Sequence, residues 1–364
     1  MRYYIIAGEA SGDLHGSNLI KAIHRKDANA DIRCWGGDKM EAAGAKLIKH
    51  YRDLAFMGFV EVLMHLHTII RNIDFCKKDI MAYKPDVLVL IDYPGFNMRI
   101  AEWAKQQGIK IAYYISPQAW AWKENRVHKL KRDVDKMLVI LPFEVGFYKK
   151  WNYEVDYVGH PLIQVVEEEL KTPPVKLSNK PIIALLPGSR AQEIKVKLPI
   201  MLHAVKHYSD YQFIVAQAPS QPDVLYNNII GNQNVLLAKG QTYNLLKQAT
   251  AALVTSGTAT LETALFGVPE VVCYKGNPIS YQLAKRLIKV KYISLVNLIM
   301  DKPVITELIQ ADLNETMLKQ ELDKLLHNPQ HISMLKEDYK QLWHLLGDKN
   351  ASENAAEAII ELIK

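Results

Sequence analysis

Cysteine is scarce in this chain. Cys34, Cys76 and Cys273 are the only three. They lie far apart without C-x-x-C spacing, which argues against a disulfide framework and a cysteine zinc site and suits a reducing cytoplasm. Long apolar runs are missing as well. No stretch approaches the roughly 18 consecutive apolar residues that span a bilayer, so any membrane contact is expected to be peripheral. The apolar start at residues 3–7 is too short for a signal peptide and runs straight into a glycine-containing loop. The dinucleotide fingerprint is also absent: Gly8, Gly12 and Gly16 stand four apart instead of following G-x-G-x-x-G, which excludes a dehydrogenase reading of that loop.

What is present is the composition of a folded protein, 49% hydrophobic and 23% charged over 364 residues, long enough for two domains that each bury a core. A net charge of +6 implies a mildly basic surface, suited to a nucleic acid, an anionic membrane or a phosphorylated substrate. Short apolar runs alternate with helical patterns. In the first half they fall at residues 3–7, 32–35, 87–91, 109–115 and 137–141, and in the second at 182–186, 213–216, 235–237, 251–254 and 271–274. This predicts an α/β protein of two doubly wound halves with a cleft between them. The Pro-rich, polar stretch 171–179 reads as the linker, which places one domain at 1–170 and another at 180–345. The tail, 346–364, is expected to be a helix packing back across the boundary.

Several loops carry candidate chemistry. Thr255-Ser256-Gly257-Thr258 follows an apolar strand and opens a helix. Ser256 and Thr258 are good N-cap residues and Gly257 allows close backbone approach, so the turn is either an ordinary capped helix or an anion site. Glu262, one turn on, is placed to accept from the vicinal hydroxyls of a ribose. Pro187-Gly188-Ser189-Arg190 also sits between a strand and a helix, and Arg190 can fork onto a diphosphate. Asp92 ends the clearest buried strand, at the sheet edge where α/β proteins bind ligands, and is either a general base or a cap for the helix after Pro94. The loop at residues 8–16 needs its glycines, read here as a ligand lying on the backbone or a tight turn capped by Ser11 or Asp13. Trp120 and its aromatic neighbours either pack or wall a sugar or lipid pocket. The segment 54–70, with Phe56, Met57, Phe59, Leu63, Met64 and Leu66, is helical in period but apolar on more than one face, for core burial or for acyl chains. A basic helix over 123–136 is either a solvated face or a contact for anionic groups. Asn297, in an apolar context, requires a hydrogen-bond partner in the protein or a ligand. Asp133-Val134-Asp135 has the D-x-D spacing of divalent-metal sites but precedes a strand, at the amino edge of the sheet and away from any ligand, so no metal is expected.

Ten collinear motifs carry a resemblance: G-E-A-S-G-D from Gly8, L-A-F-M-G-F-V-E-V-L from Leu54, K-P-D-V from Lys84, I-D-Y-P-G-F-N from Ile91, S-P-Q-A-W-A-W from Ser116, L-P-F-E from Leu141, Y-V-G-H-P from Tyr157, L-P-G-S-R from Leu186, T-S-G-T-A-T-L-E from Thr255 and Y-I-S-L-V-N-L from Tyr292. Spread over nearly the whole chain, they are similar to the lipid-A-disaccharide synthases, family 19 glycosyltransferases of GT-B fold. The resemblance implies two Rossmann-like domains, the N-terminal one for the acceptor and the C-terminal one for the sugar nucleotide. It implies an inverting, metal-independent hexosyltransferase without a cofactor. Such an enzyme moves 2,3-diacylglucosamine from UDP-2,3-diacylglucosamine to 2,3-diacylglucosamine 1-phosphate, forming the β-1,6 lipid A disaccharide 1-phosphate and UDP.

The implied base is Asp92. The implied UDP-binding set is Ser189, Arg190, Ser256, Gly257, Thr258, Glu262 and Asn297, and the implied acceptor-binding set is Glu9, Ser11, Asp13, Ser116 and Trp120. Acyl or membrane contact falls to Phe56, Met57, Phe59, Leu63, Met64 and Leu66. The expected setting is cytoplasmic, peripheral on the inner face of the inner membrane, with no nucleic acid and with a homodimer compatible. After Asp92, Tyr93 and Gly95 stand where a small and an acidic residue are expected, so no second carboxylate adjoins the base. Alternatives are another GT-B enzyme of UDP-N-acetylglucosamine, a peptidoglycan transferase or a 2-epimerase, or a non-catalytic nucleotide-binding membrane adaptor.

Overall fold

A computed structural model describes the chain except residues 54–65, 279–280, 283–289 and 348–349. It forms two compact units, Met1–Pro161 with Gly347–Lys364, and Leu162–Leu346.

The first unit holds a seven-stranded sheet in the order β3-β2-β1-β4-β5-β6-β7. Its strands are β1 (Arg2–Ala7), β2 (Asp31–Gly36), β3 (Lys46–His50), β4 (Val87–Ile91), β5 (Lys110–Tyr114), β6 (Lys136–Val139) and β7 (Asp156–Tyr157). Every pairing is parallel. Helices cover both faces, so the central strands alternate between two cores and read as unbroken apolar runs. Tyr3, Ile5, Val87 and Val89 face one core with Leu19 and Ile23, whereas Tyr4, Ile6, Leu88 and Leu90 face the other with Ile80, Phe96 and Ile100. The C-terminal helix Ala351–Ile363 completes the first core through Ala355, Ala356, Ile359 and Ile360. Ion pairs from Arg25 to Glu353 and from Lys26 to Glu357 fix it against the first helix.

The second unit repeats the design with six parallel strands in the order β10-β9-β8-β11-β12-β13. These are β8 (Ile182–Leu186), β9 (Gln212–Gln217), β10 (Val235–Lys239), β11 (Ala249–Thr255), β12 (Glu270–Tyr274) and β13 (Thr306–Ile309). The stretch 171–179, expected as a linker, is strapped onto this unit: the Val175 N–H donates to Asn244 Oδ1 at 2.8 Å and the Leu177 N–H to Gln248 Oε1 at 3.1 Å. The division between units falls at Pro161 instead.

Strand order fixes where ligands go. In each sheet the order reverses once, between β1 and β4 in the first and between β8 and β11 in the second. The loops leaving two such strands diverge to opposite faces and open a crevice at their carboxyl ends. Ala7 pairs with Ile91, which sets Gly8 and Glu9 beside Asp92. Leu186 pairs with Val254, which sets the loop from Pro187 beside the turn at Ser256.

Candidate active site

Asp92 is placed by an unusual backbone. Asp92 and Tyr93 have φ of 43° and 49°, and Ile115, just past the neighbouring strand β5, has 64°. Left-handed conformations cost an L-residue roughly 1–2 kcal/mol each and persist where surrounding contacts over-determine them. Here the Asp92 N–H donates to the carbonyls of Tyr114 and Ile115 at 3.3 and 3.2 Å. The Asp92 carbonyl accepts from the Tyr113 hydroxyl at 2.6 Å and from Asn97 Nδ2 at 2.8 Å. Asn97 is fully buried and its amide also reaches the Ile91 carbonyl at 3.2 Å. The Asp92 side chain does not cap the helix Pro94–Gln106, whose N-cap is Tyr93. Burial, followed by the negative charge of Glu9, pushes the Asp92 carboxyl up to about 6. A base tuned so is ionised at neutral pH yet basic enough to take a proton.

Side-chain packing alone accounts for glycine at two positions of the 8–16 loop. A Cβ on Gly8 would lie 2.3 Å from the Tyr93 ring, and one on Gly16 2.6 Å from Met40 Sδ.

In the second unit Gly257 is the N-cap of the helix Thr258–Leu265, with φ of 143°. Neither Ser256 nor Thr258 supplies the expected side-chain cap. The Ser256 hydroxyl donates to the Ile293 carbonyl at 3.2 Å. The first N–H groups of that helix thus have no side-chain acceptor from the cap, the condition that lets a helix end receive an anion. Arg190 is itself the N-cap residue of the neighbouring helix Ala191–Val205, exposed and 3.8 Å from Glu193. Glu262 is half-buried; burial raises its carboxyl, while the Tyr243 hydroxyl, donated to Oε1 at 2.7 Å, works in the opposite sense.

The sequence profile described as lipid-A-disaccharide synthetase matches residues 3–362. The chain belongs to that family. Lipid-A-disaccharide synthases of Geobacter metallireducens and Syntrophus aciditrophicus are 37% and 38% identical to it, over 100% and 99% of this chain and 97% of each relative. Among solved structures, the UDP-GlcNAc 2-epimerase of Neisseria meningitidis bound to UDP-GlcNAc superposes with a TM-score of 0.67 at 12% identity, covering 99% of both chains. The glycotransferase of kitacinnamycin gives 0.68 at 14% identity, over 100% of this chain and 99% of that one. The likeness establishes the GT-B type of fold expected from the sequence.

Several residues expected in a lipid-A-disaccharide synthetase site have partners within the protein. The Asp13 carboxylate is buried and accepts the backbone N–H groups of Gly37, Met40 and Lys39 at 2.8, 3.0 and 3.2 Å, anchoring the helix Asp38–Ala42. Asn297 finds its partners in the protein: Nδ2 donates to the Ile305 carbonyl and to Glu307 Oε1 at 2.9 and 3.0 Å, while Oδ1 accepts the Ile305 N–H at 3.0 Å. Ser116 is buried and donates its hydroxyl to Glu144. Glu9 and Ser11 are exposed beside β1, and Ser189 is exposed beside Arg190. Trp120 packs edge-on against Phe143 at 5.0 Å. Phe56, Met57, Phe59, Leu63 and Met64 lie outside the described residues, and Leu66 opens the helix Leu66–Tyr83. Asp133 and Asp135 are engaged by Arg132 and Lys105 at the amino edge of the sheet, as their position before β6 required.

Three carboxylate and lysine positions escaped the sequence reading. Glu144 caps the Ile140 and Leu141 N–H groups at 3.3 and 3.0 Å, and burial raises its carboxyl to about 7. Glu307 gathers the Ile293 and Ser294 N–H groups and the Ser294 hydroxyl, fixing the strand of chain that Ser256 touches. Lys197 is buried. Glu144 had a visible signal, a Glu three residues after Leu141 at a helix start.

Proposed function

We propose that the chain transfers 2,3-diacylglucosamine from UDP-2,3-diacylglucosamine to the 6-hydroxyl of 2,3-diacylglucosamine 1-phosphate, in lipid A biosynthesis. The observation that carries the mechanism is the occupancy of both switch points: Asp92 with its raised carboxyl at one, and the Arg190 loop with an uncapped helix end at the other. The acceptor O6–H gives its proton to the Asp92 carboxylate as the O6–C1 bond forms. The C1–O bond to the diphosphate breaks and its electron pair leaves with UDP, with inversion at C1. Positive charge develops on the sugar ring as the leaving group gains negative charge. Stabilising that leaving charge is the larger task, and it falls to the Gly257 and Thr258 N–H groups and the Arg190 guanidinium. Glu262 takes the ribose hydroxyls, with Tyr243 fixing its other oxygen.

A chain with two lipid substrates works at a membrane surface. No described helix is long and apolar enough to cross a membrane. Contact is assigned to the exposed Trp122, whose ring carries Lys123 Nζ at 4.2 Å and the Arg126 guanidinium at 5.2 Å from its centroid. An indole with cations around it suits an anionic interface. The test supplies both diacylated substrates to the purified chain and follows disaccharide and UDP. Turnover of un-acylated UDP-N-acetylglucosamine in preference to the diacylated donor would replace this reading with the epimerase or peptidoglycan one.

A further inference from the structure

Lys197 lies on the helix Ala191–Val205 and is 3% exposed, yet it makes no hydrogen bond or ion pair with a described residue. Buried lysines are uncommon without a partner, because an ammonium removed from water loses its solvation without return. Its surroundings say where the amine goes. Side chains on a helix lean toward its N-terminus, so a lysine at 197 extends back over the turn at Glu193 and toward Arg190. The ionisable groups near it are Glu193, Arg190 and the neutral thiol of Cys273 in β12. Thr255, the last residue of β11, is also buried there at the sheet edge, and its Oγ1 has no hydrogen-bond partner among the described residues. Burial lowers the lysine below its ordinary value, with Glu193 opposing.

We propose that Lys197 is a phosphate-binding residue of the second unit, whose ammonium pairs with the diphosphate of the sugar nucleotide beneath the Gly188–Arg190 loop. The inference rests on the proposed UDP site and deepens it. A lysine that merely filled space would be replaced by methionine without consequence for any ligand. A phosphate ligand would be lost with its charge, since hydrogen bonds to charged groups are roughly twice as strong as neutral ones.

The experiment titrates UDP and uridine into the full-length wild type, Lys197→Met and Arg190→Ala, with thermal unfolding of each as a check on folding. The expected result is UDP binding weakened on the order of 10-fold or more in Lys197→Met, uridine binding unchanged, and a melting temperature at or above that of the wild type. If Arg190→Ala loses UDP affinity while Lys197→Met keeps it, the lysine assignment is overturned and the site stands. If UDP fails to bind the wild type, or Arg190→Ala leaves it unchanged, the underlying site itself falls. Should Lys197→Met not fold, the Lys197 side-chain NMR signal of the wild type decides: a shift on adding UDP but not uridine supports the assignment, and no shift overturns it.

Discussion

The Tyr113 hydroxyl donates to the carbonyl oxygen of Asp92 at 2.6 Å, so the strand beside the candidate base holds the base's own backbone in its left-handed turn. Tyr113→Phe removes that donor without changing the ring. It is expected to cost about 1 kcal/mol of stability, the net worth of one hydrogen bond, and to lower turnover more than it changes donor affinity. Steady-state kinetics beside a denaturant titration checks it. Loss of stability with unchanged turnover would show that the bond holds the fold and not the base.

Asp92 should impose an acid limb on kcat/KM near pH 6, where its carboxyl is held by burial and by Glu9. Below that pH the base is protonated and the rate falls tenfold per unit. Because the Glu9 charge raises the carboxyl, Glu9→Gln should move the limb to lower pH. A pH–rate profile of the two proteins reads the shift directly, and a shift upward would contradict the electrostatics.

Gly257 at φ 143° has open space around its missing Cβ, so the obstacle to substitution there is the backbone alone. Gly257→Ala is expected to turn the first N–H groups of the helix away from the leaving group. Removing one such donor lowers kcat on the order of 10²-fold. Burst or single-turnover kinetics separates that loss from slow UDP release.

Glu270, fully buried in β12 with neither carboxylate oxygen hydrogen-bonded among the described residues, has its carboxyl raised well above 4.5 by burial. The folded chain therefore binds this proton more tightly than the unfolded chain does. Stability from this group is whole below pH 4.5 and is lost as pH rises from there toward the folded-state value. Glu270→Gln should abolish that slope and raise the melting temperature at pH 8 relative to pH 5. An unchanged pH dependence in the variant would sink the assignment.

The sequence exposes the layered plan because buried parallel strands are nearly continuous apolar runs, and Val87–Ile91 and Ile182–Leu186 announce themselves that way. The edge strands β3, β7 and β13 do not, since Lys46–His50 and Thr306–Ile309 are half polar and Asp156–Tyr157 is two residues long. Loop positions at the strand ends are equally legible, so Asp92, Arg190 and Gly257 fall where the switch points require. What side chains do with their polar atoms is not. Asp13 and Asn297, expected at the site from the sequence, also hold backbone, a role that the sequence does not display, because buried amides need an acceptor. Lys197 shows no motif at all; only burial distinguishes it from the surface lysine two residues before it.

The most direct measurement pairs turnover and UDP affinity in Asp92→Asn. With the proton acceptor gone and the nucleotide site in the other unit intact, kcat should fall by about 10²–10⁴-fold while the Kd for UDP stays within twofold of the wild type. Near-normal turnover would remove Asp92 from the chemistry, and a UDP affinity lost together with turnover would contradict the division of labour between the two units.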